Sequence, residues 1–274
     1  MQKDYGWGLP LNASAHGAEI DRLIYVVHVF MALLFVGWLV FLITALIRFR
    51  SRPGHQAAYK AHHFKAPTYL EVVIALVEAV LLVGFSFPVF YHVRKALPPD
   101  SQSLHVRIAA EQFAWNVHYP GEDGIFGRTD VHLMSAMNPL GLDTSDPHAQ
   151  DDITSINQLH IPVNKPIIVN LTSKDVIHSF FIPVMRVKQD VVPGQVIPVW
   201  FEAIKMGNFE IACAQLCGLG HYRMRGYFTV ETEEQFKAWL AQMKPPAPAP
   251  RPPLPPAAAP PPVPTLAAST GPQV

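Results

Sequence analysis

The chain has 274 residues, no formal net charge at pH 7 and a sequence pI near 7.2. Without a basic footprint, no nucleic-acid partner is expected. Half of the residues are hydrophobic and the mean hydropathy is +0.17, which is high for a soluble protein. That excess is concentrated near the N-terminus.

Residues 1–23 are polar and read as an external N-terminal segment, unlike the charged and then apolar start of a secretory signal. Residues 24–47 are apolar except for His28 and Thr44. At ~1.5 Å per helical residue the run can cross a ~30 Å hydrocarbon core. A second run, within residues 68–91, is also long enough but carries Glu71 and Glu78. The connecting loop, 48–67, holds Arg48, Arg50, Arg52, Lys60 and Lys65 and no acid, so it reads as cytoplasmic. The two spans then form a multi-pass hairpin in a cell's inner membrane. Everything beyond it lies on the periplasmic or outer face.

After Pro98-Pro99 the pattern turns to short β-type runs: 104–109, 113–119, 166–173, 177–184, 195–202, 209–212 and 227–230. They are rich in Val, Ile and aromatic residues and are separated by turn signals such as Pro120-Gly121 and Pro193-Gly194. Strands without intervening helices predict an antiparallel sandwich or Greek-key barrel over residues 99–244. Residues 122–155, with many Asp, Gly and Pro, read as a polar surface excursion. Thr232 to Gln235 is a capping-box pattern opening a short helix, Glu233 to Met243. Residues 245–274 are almost all Pro and Ala and cannot build a core, so a disordered tail is expected.

The chemistry is concentrated between Cys213 and Met224. Cys213, Cys217, His221 and Met224 fall within a dozen residues, and the two cysteines are the only ones in the chain. Three readings compete. A disulfide suits an oxidising compartment but leaves His221 and Met224 unexplained. Zinc uses Cys and His but has little use for Met. Copper takes all three ligand types, as in sites that combine Cys and His with a weak axial Met. A second thiolate in the loop permits both sulfurs to bridge two coppers. An upstream imidazole is then needed, and His178, at the start of a strand-like run, stands in the right order.

Together these residues resemble subunit II of the haem–copper cytochrome c oxidases. The late motif of that family, Cys-x-Glu-x-Cys-x-x-x-His-x-x-Met, is matched at Cys213, Cys217, His221 and Met224, and its earlier His at His178. The match extends to the hairpin, to Lys188-x-Asp190-x-x-Pro193-Gly194 and to the run from Gln112 to Trp115. The resemblance implies a cupredoxin-like domain with a dinuclear copper centre, CuA. Cys213 and Cys217 would bridge it, with His178 and His221 terminal and Met224 a weak ligand. The backbone carbonyl of Gln215 would be the remaining ligand. Gln215 stands where the family has Glu, so a neighbouring magnesium or manganese site loses its carboxylate.

The resemblance also implies partners: subunits I and III, a cytochrome c-type electron donor and the membrane. The family takes up electrons through an exposed Trp. Here Phe113 occupies that position, and Trp115 matches a second, more buried aromatic. Leu70-Glu71 matches the mouth of a proton pathway into subunit I. Glu78 lies two turns along on the same face, which would then meet subunit I rather than lipid. Asp143, Asp146, Asp151 and Asp152 could steer a basic donor; a solvated loop is the plainer account of them. The implied function is that of the electron-entry subunit of a cytochrome-c oxidase, which passes electrons from CuA to haem in subunit I for reduction of oxygen to water coupled to proton translocation, with no oxygen chemistry in this chain alone. Alternatives are the CuA subunit of a nitric oxide reductase and a membrane-anchored copper-binding assembly module without turnover.

Overall fold

The computed structural model describes residues 8–54, 56 and 65–244. The Pro/Ala segment, residues 1–7 and most of the Lys-containing part of the hairpin loop lie outside these. The first helix runs Gly17–Arg48 and the second Ala66–Arg94. Both are long and apolar enough to cross a membrane, and both extend beyond the apolar runs read from the sequence. Pro88 cannot donate to the carbonyl of Gly84, so the second helix must adjust there. It does so through a π-helical stretch, Leu81–Ser86, in which the Ser86 hydroxyl donates to the Leu81 carbonyl at 3.3 Å.

The remainder is a sandwich of two five-stranded sheets. One sheet comprises β1 (Leu104–Glu111), β2 (Ala114–Tyr119), β3 (Ile153–Ile156), β5 (Pro166–Ser173) and β8 (Ile197–Glu202), in the order β3-β2-β1-β5-β8. The other holds β4 (Gln158–Pro162), β6 (His178–Ile182), β7 (Val187–Val191), β9 (Gly207–Cys213) and β10 (Arg225–Glu231), in the order β4-β10-β9-β6-β7. The antiparallel expectation needs correction: β1 runs parallel to β5 and β4 parallel to β10. Each parallel pair joins strands distant in sequence, where long connections replace hairpins. Trp115, Tyr119, Phe180, Phe201 and Phe228 fill the space between the sheets, all fully buried.

Three local readings also change. Phe113 is not in a strand, because Gln112 and Phe113 form the turn between β1 and β2. The excursion is not wholly irregular, because its end is β3, with Ile153 and Ser155 facing inward. Most of it is exposed, as read, but one of its acids is buried. His118 and Asp152 form a buried pair at 2.6 Å, and the same carboxylate accepts from the Gly121 and Gly127 N–H groups at 3.1 and 2.8 Å. Asp152 is therefore a latch under the excursion and cannot steer a donor. Asp143 pairs with Arg128 at 2.5 Å, and Asp146 accepts from the Arg128 backbone N–H.

The segment ahead of the first helix is strapped to the sandwich. Ala13 and Ser14 are buried, and Ala13 N–H donates to Val184 while Ala15 N–H donates to Glu202. Arg186 closes the joint. Its guanidinium pairs with Asp21 at 2.7 and 3.0 Å and donates to the carbonyls of Pro10, Leu11 and Pro183. At the other end of the chain the C-terminal helix, Glu233–Met243, opens with both bonds of the capping box. Its Trp239 stacks on His160 at 4.0 Å.

Candidate metal centre

The centre forms where β6 begins and β9 ends. Cys213 is the last residue of β9, opposite Phe180 of β6, so the pairing register carries His178 to the same end of the sheet. The loop 214–224 then returns to β10, and its base is fixed by Cys213 N–H donating to the Met224 carbonyl at 3.2 Å. The Cys213 sulfur lies 3.8 Å from that of Cys217 and 4.0 Å from His178 Nδ1. Cys217 Sγ lies 3.7 Å from both His221 Nδ1 and Met224 Sδ. The Gln215 carbonyl is 3.1 Å from Cys213 Sγ. His178, Cys213, Cys217 and Met224 are buried, while Gln215 is exposed.

This geometry bears on the readings. A disulfide needs sulfurs ~2.05 Å apart; these are free thiols at nearly twice that distance. The separation is also less than twice a metal–thiolate bond of ~2.3 Å, so one cation can bond both sulfurs. Two thiols and a thioether in contact, with two imidazoles at their edges, form a soft donor set that fits copper. No carboxylate stands in the loop 214–223.

Neighbouring groups prepare the ligands. His178 Nε2 lies 2.8 Å from Asp175 Oδ1, which directs its proton to the carboxylate and turns Nδ1 toward the sulfurs. Burial alone would raise the Asp175 carboxyl. Hydrogen bonds from His178, Gln112 N–H and Val176 N–H outweigh it and hold the group below the ordinary range. Burial likewise favours the neutral Cys213 thiol, but the His178 imidazole, when protonated on both nitrogens, and backbone contacts prevail and bring its pKa down. Cys217 moves up, through burial and the charge on Cys213. One thiolate is thus favoured before any cation arrives, and the cation must displace the second proton.

Trp115 lies against this site, fully buried, its ring edge-on to His178 at 6.2 Å and to Phe180 at 5.6 Å. Phe113 is half-buried on the loop itself. A Cβ added to Gly220 would come within 2.4 Å of its ring, so the glycine permits this contact. Sequence reasoning missed the rim. Leu216, Leu219 and Tyr222 are 75, 97 and 86% exposed. The signal was present, because large apolar side chains alternate with the ligands in a loop too short to bury both. Glu71 and Glu78 are both exposed on the second helix, and their carboxylates have no hydrogen bond or ion pair among the described residues.

Two long apolar helices bearing a β-sandwich with a pole of soft donors define the class: a membrane-anchored, cupredoxin-like protein with a candidate metal site. The family profile described as cytochrome c oxidase subunit II, periplasmic domain, matches residues 104–230. An alternative cytochrome c oxidase subunit 2 from Bradyrhizobium diazoefficiens is 37% identical over 240 residues, covering 87% of this chain and 84% of that one. Cytochrome c oxidase subunit 2 of Cereibacter sphaeroides is 28% identical over 254 residues, covering 87% and 80%. The solved periplasmic domain of subunit II from Bradyrhizobium japonicum is 30% identical, covering 51% of this chain and 92% of that one, with a TM-score of 0.38. This chain belongs to the cytochrome c oxidase subunit II family. It is a subunit of a haem–copper oxidase, membrane-anchored, with its β-domain outside the membrane.

Proposed function

We propose that this chain is the electron-accepting subunit of a proton-translocating terminal oxidase. His178, Cys213, Cys217, His221 and Met224, with the carbonyl of Gln215, would hold a dinuclear copper centre. Copper held there supplies a one-electron couple, filled from a cytochrome c-type donor and emptied into haem of subunit I, where oxygen is reduced to water. The observation that carries this reading is the meeting of two unbonded thiols, 3.8 Å apart, with a thioether and two imidazoles.

The residues divide the work. Cys213 and Cys217 are close enough to share two metals, which spreads a charge change over both and keeps rearrangement small. Asp175 orients His178. The apolar rim of Leu216, Leu219 and Tyr222, beside Phe113, offers a donor a dry contact next to His221. Trp115, being buried, would act behind that contact rather than as the contact. Residues 24–47 and 68–91 span the inner membrane, 48–67 face the cytoplasm, and 99–244 lie in the periplasm. The face of the second helix with Glu71 and Glu78 turns to subunit I, with Glu71 at the mouth of a proton pathway. Subunit III completes the complex. Gln215 offers a neutral oxygen to a magnesium or manganese ion, so weak occupancy follows there.

The full chain, purified in detergent and loaded with copper, should bind two coppers. Its electron paramagnetic resonance spectrum should show seven hyperfine lines, from one electron shared by two equivalent nuclei. A four-line spectrum, or a colourless zinc protein, would overturn the dinuclear reading.

A further inference from the structure

Gln112 stands in the turn between β1 and β2, in the sheet that supplies none of the ligands. It nevertheless bonds to both arms of the metal centre. Its side-chain Nε2 donates to the Cys217 carbonyl at 2.7 Å, across 105 positions of sequence. Its backbone N–H donates to Asp175 Oδ2 at 2.7 Å, and the other oxygen of that carboxylate holds His178.

The cysteine arm needs such a tie. Between Cys213 and His221 the loop folds back mostly on itself, with His221 N–H donating to Gly218. Gly218, directly after Cys217, has φ +136°, a conformation that L side chains rarely adopt. A Cβ there would meet Gln112 Nε2 at 2.6 Å, so the glycine also makes room for the amide. Ala214 and Gln215 on one side and Gly218 and Leu219 on the other are exposed. The amide is therefore a fixed point, outside its own loop, for the backbone of Cys217.

We propose that Gln112 is a positioning residue for the metal centre: its amide clasps the cysteine loop, and its backbone N–H orients the carboxylate that aims His178. The inference rests on the reading that Cys217 and His178 hold copper. Its two halves can be separated, because a side-chain substitution removes the clasp and leaves the backbone bond to Asp175.

The test compares wild type, Gln112→Ala and Gln112→Glu as full chains in detergent. Glu keeps the size of the side chain, but as a carboxylate it cannot donate to a carbonyl. All three are loaded with copper and mixed with excess copper chelator, and release is followed by loss of the visible bands. Both variants should bind the wild-type amount of copper and release it about 5-fold faster, as the loss of one neutral hydrogen bond implies. In the metal-free chains, amides of residues 214–221 should exchange with deuterium faster in both variants. Wild-type behaviour of Gln112→Glu would make the role mere packing and overturn the proposal, as would an unchanged Gln112→Ala. Should wild type itself lack the seven-line spectrum, the dinuclear reading fails, while release and exchange rates still judge the clasp.

Discussion

The two poles of the sandwich are built on opposite plans. At the membrane pole, Arg186 gathers one carboxylate and three carbonyls, and the strap around Ala13 is bonded to the strand ends. The Arg186 guanidinium is consumed within the chain, which ties the first helix and the segment ahead of it to the sandwich. At the metal pole the side chains are soft donors in contact mainly with one another, and the loop between them displays Leu216, Leu219 and Tyr222 to solvent. Fastening is concentrated where orientation to the membrane must be held. Ligand capacity and dry surface are concentrated where something else must bind.

The comparison can be broken most decisively at the metal pole. Cys217→Ser removes a sulfur that touches Cys213, His221 and Met224. Copper binding should fall to a residual level by metal analysis, while the strap, which has no bond to this residue, stays in place. Retention of two coppers per chain would refute the bridging assignment. At the membrane pole, Arg186→Ala leaves Asp21 and the carbonyls of Pro10 and Leu11 without this donor, while Pro183 keeps the backbone N–H of residue 186. Breaking a largely buried pair of this kind costs about 3–5 kcal/mol. The unfolding midpoint should drop, and protease should cut between Pro10 and Gly17, with copper binding preserved below the midpoint. A midpoint equal to wild type would mean that the strap does not fasten the hairpin.

A smaller effect is expected where the rim meets the loop. In Gly220→Ala the new methyl must displace the Phe113 ring. Overpacking of this kind costs about 1–3 kcal/mol. Reaction with a cytochrome c donor should slow through KM more than through kcat. An unchanged KM together with unchanged stability would show that Phe113 does not depend on this glycine.

What could be read from sequence follows the same division. The metal pole was legible because four of its ligands lie in one short run, whose residue types already select a soft metal. His178 was read as a candidate from its order ahead of the late loop, and the resemblance added to that; a single His ahead of a strand says nothing about register, which the β6–β9 pairing supplies. The two long helices were legible because their apolar runs are long. The strap was not, because Ala13, Ser14 and Asp21 have no periodicity; Asp21 is held by an arginine 165 residues away and Ala13 by the carbonyl of Val184. Asp152 looked like one acid among several. Its burial beside His118 depends on how the excursion folds over the sheet. Strand order escaped for a similar reason. β1 and β5 pair parallel through contacts that no local pattern encodes, and β3 is four residues inside a polar stretch.

The smallest effect is expected at Met224, and it separates ligand from scaffold. The side chain is buried with its sulfur 3.7 Å from Cys217 Sγ, while its backbone carbonyl, which any residue has, closes the base of the loop. Met224→Leu conserves volume and keeps that carbonyl, so it should cost less than about 1.5 kcal/mol of stability. A weak thioether ligand tunes a copper site more than it retains the metal. Copper content should therefore stay at the wild-type level while the reduction potential and the visible bands shift. Loss of copper in Met224→Leu would make the thioether a principal ligand. An unmoved potential would make it packing alone, leaving the two cysteines, two histidines and the Gln215 carbonyl to define the centre.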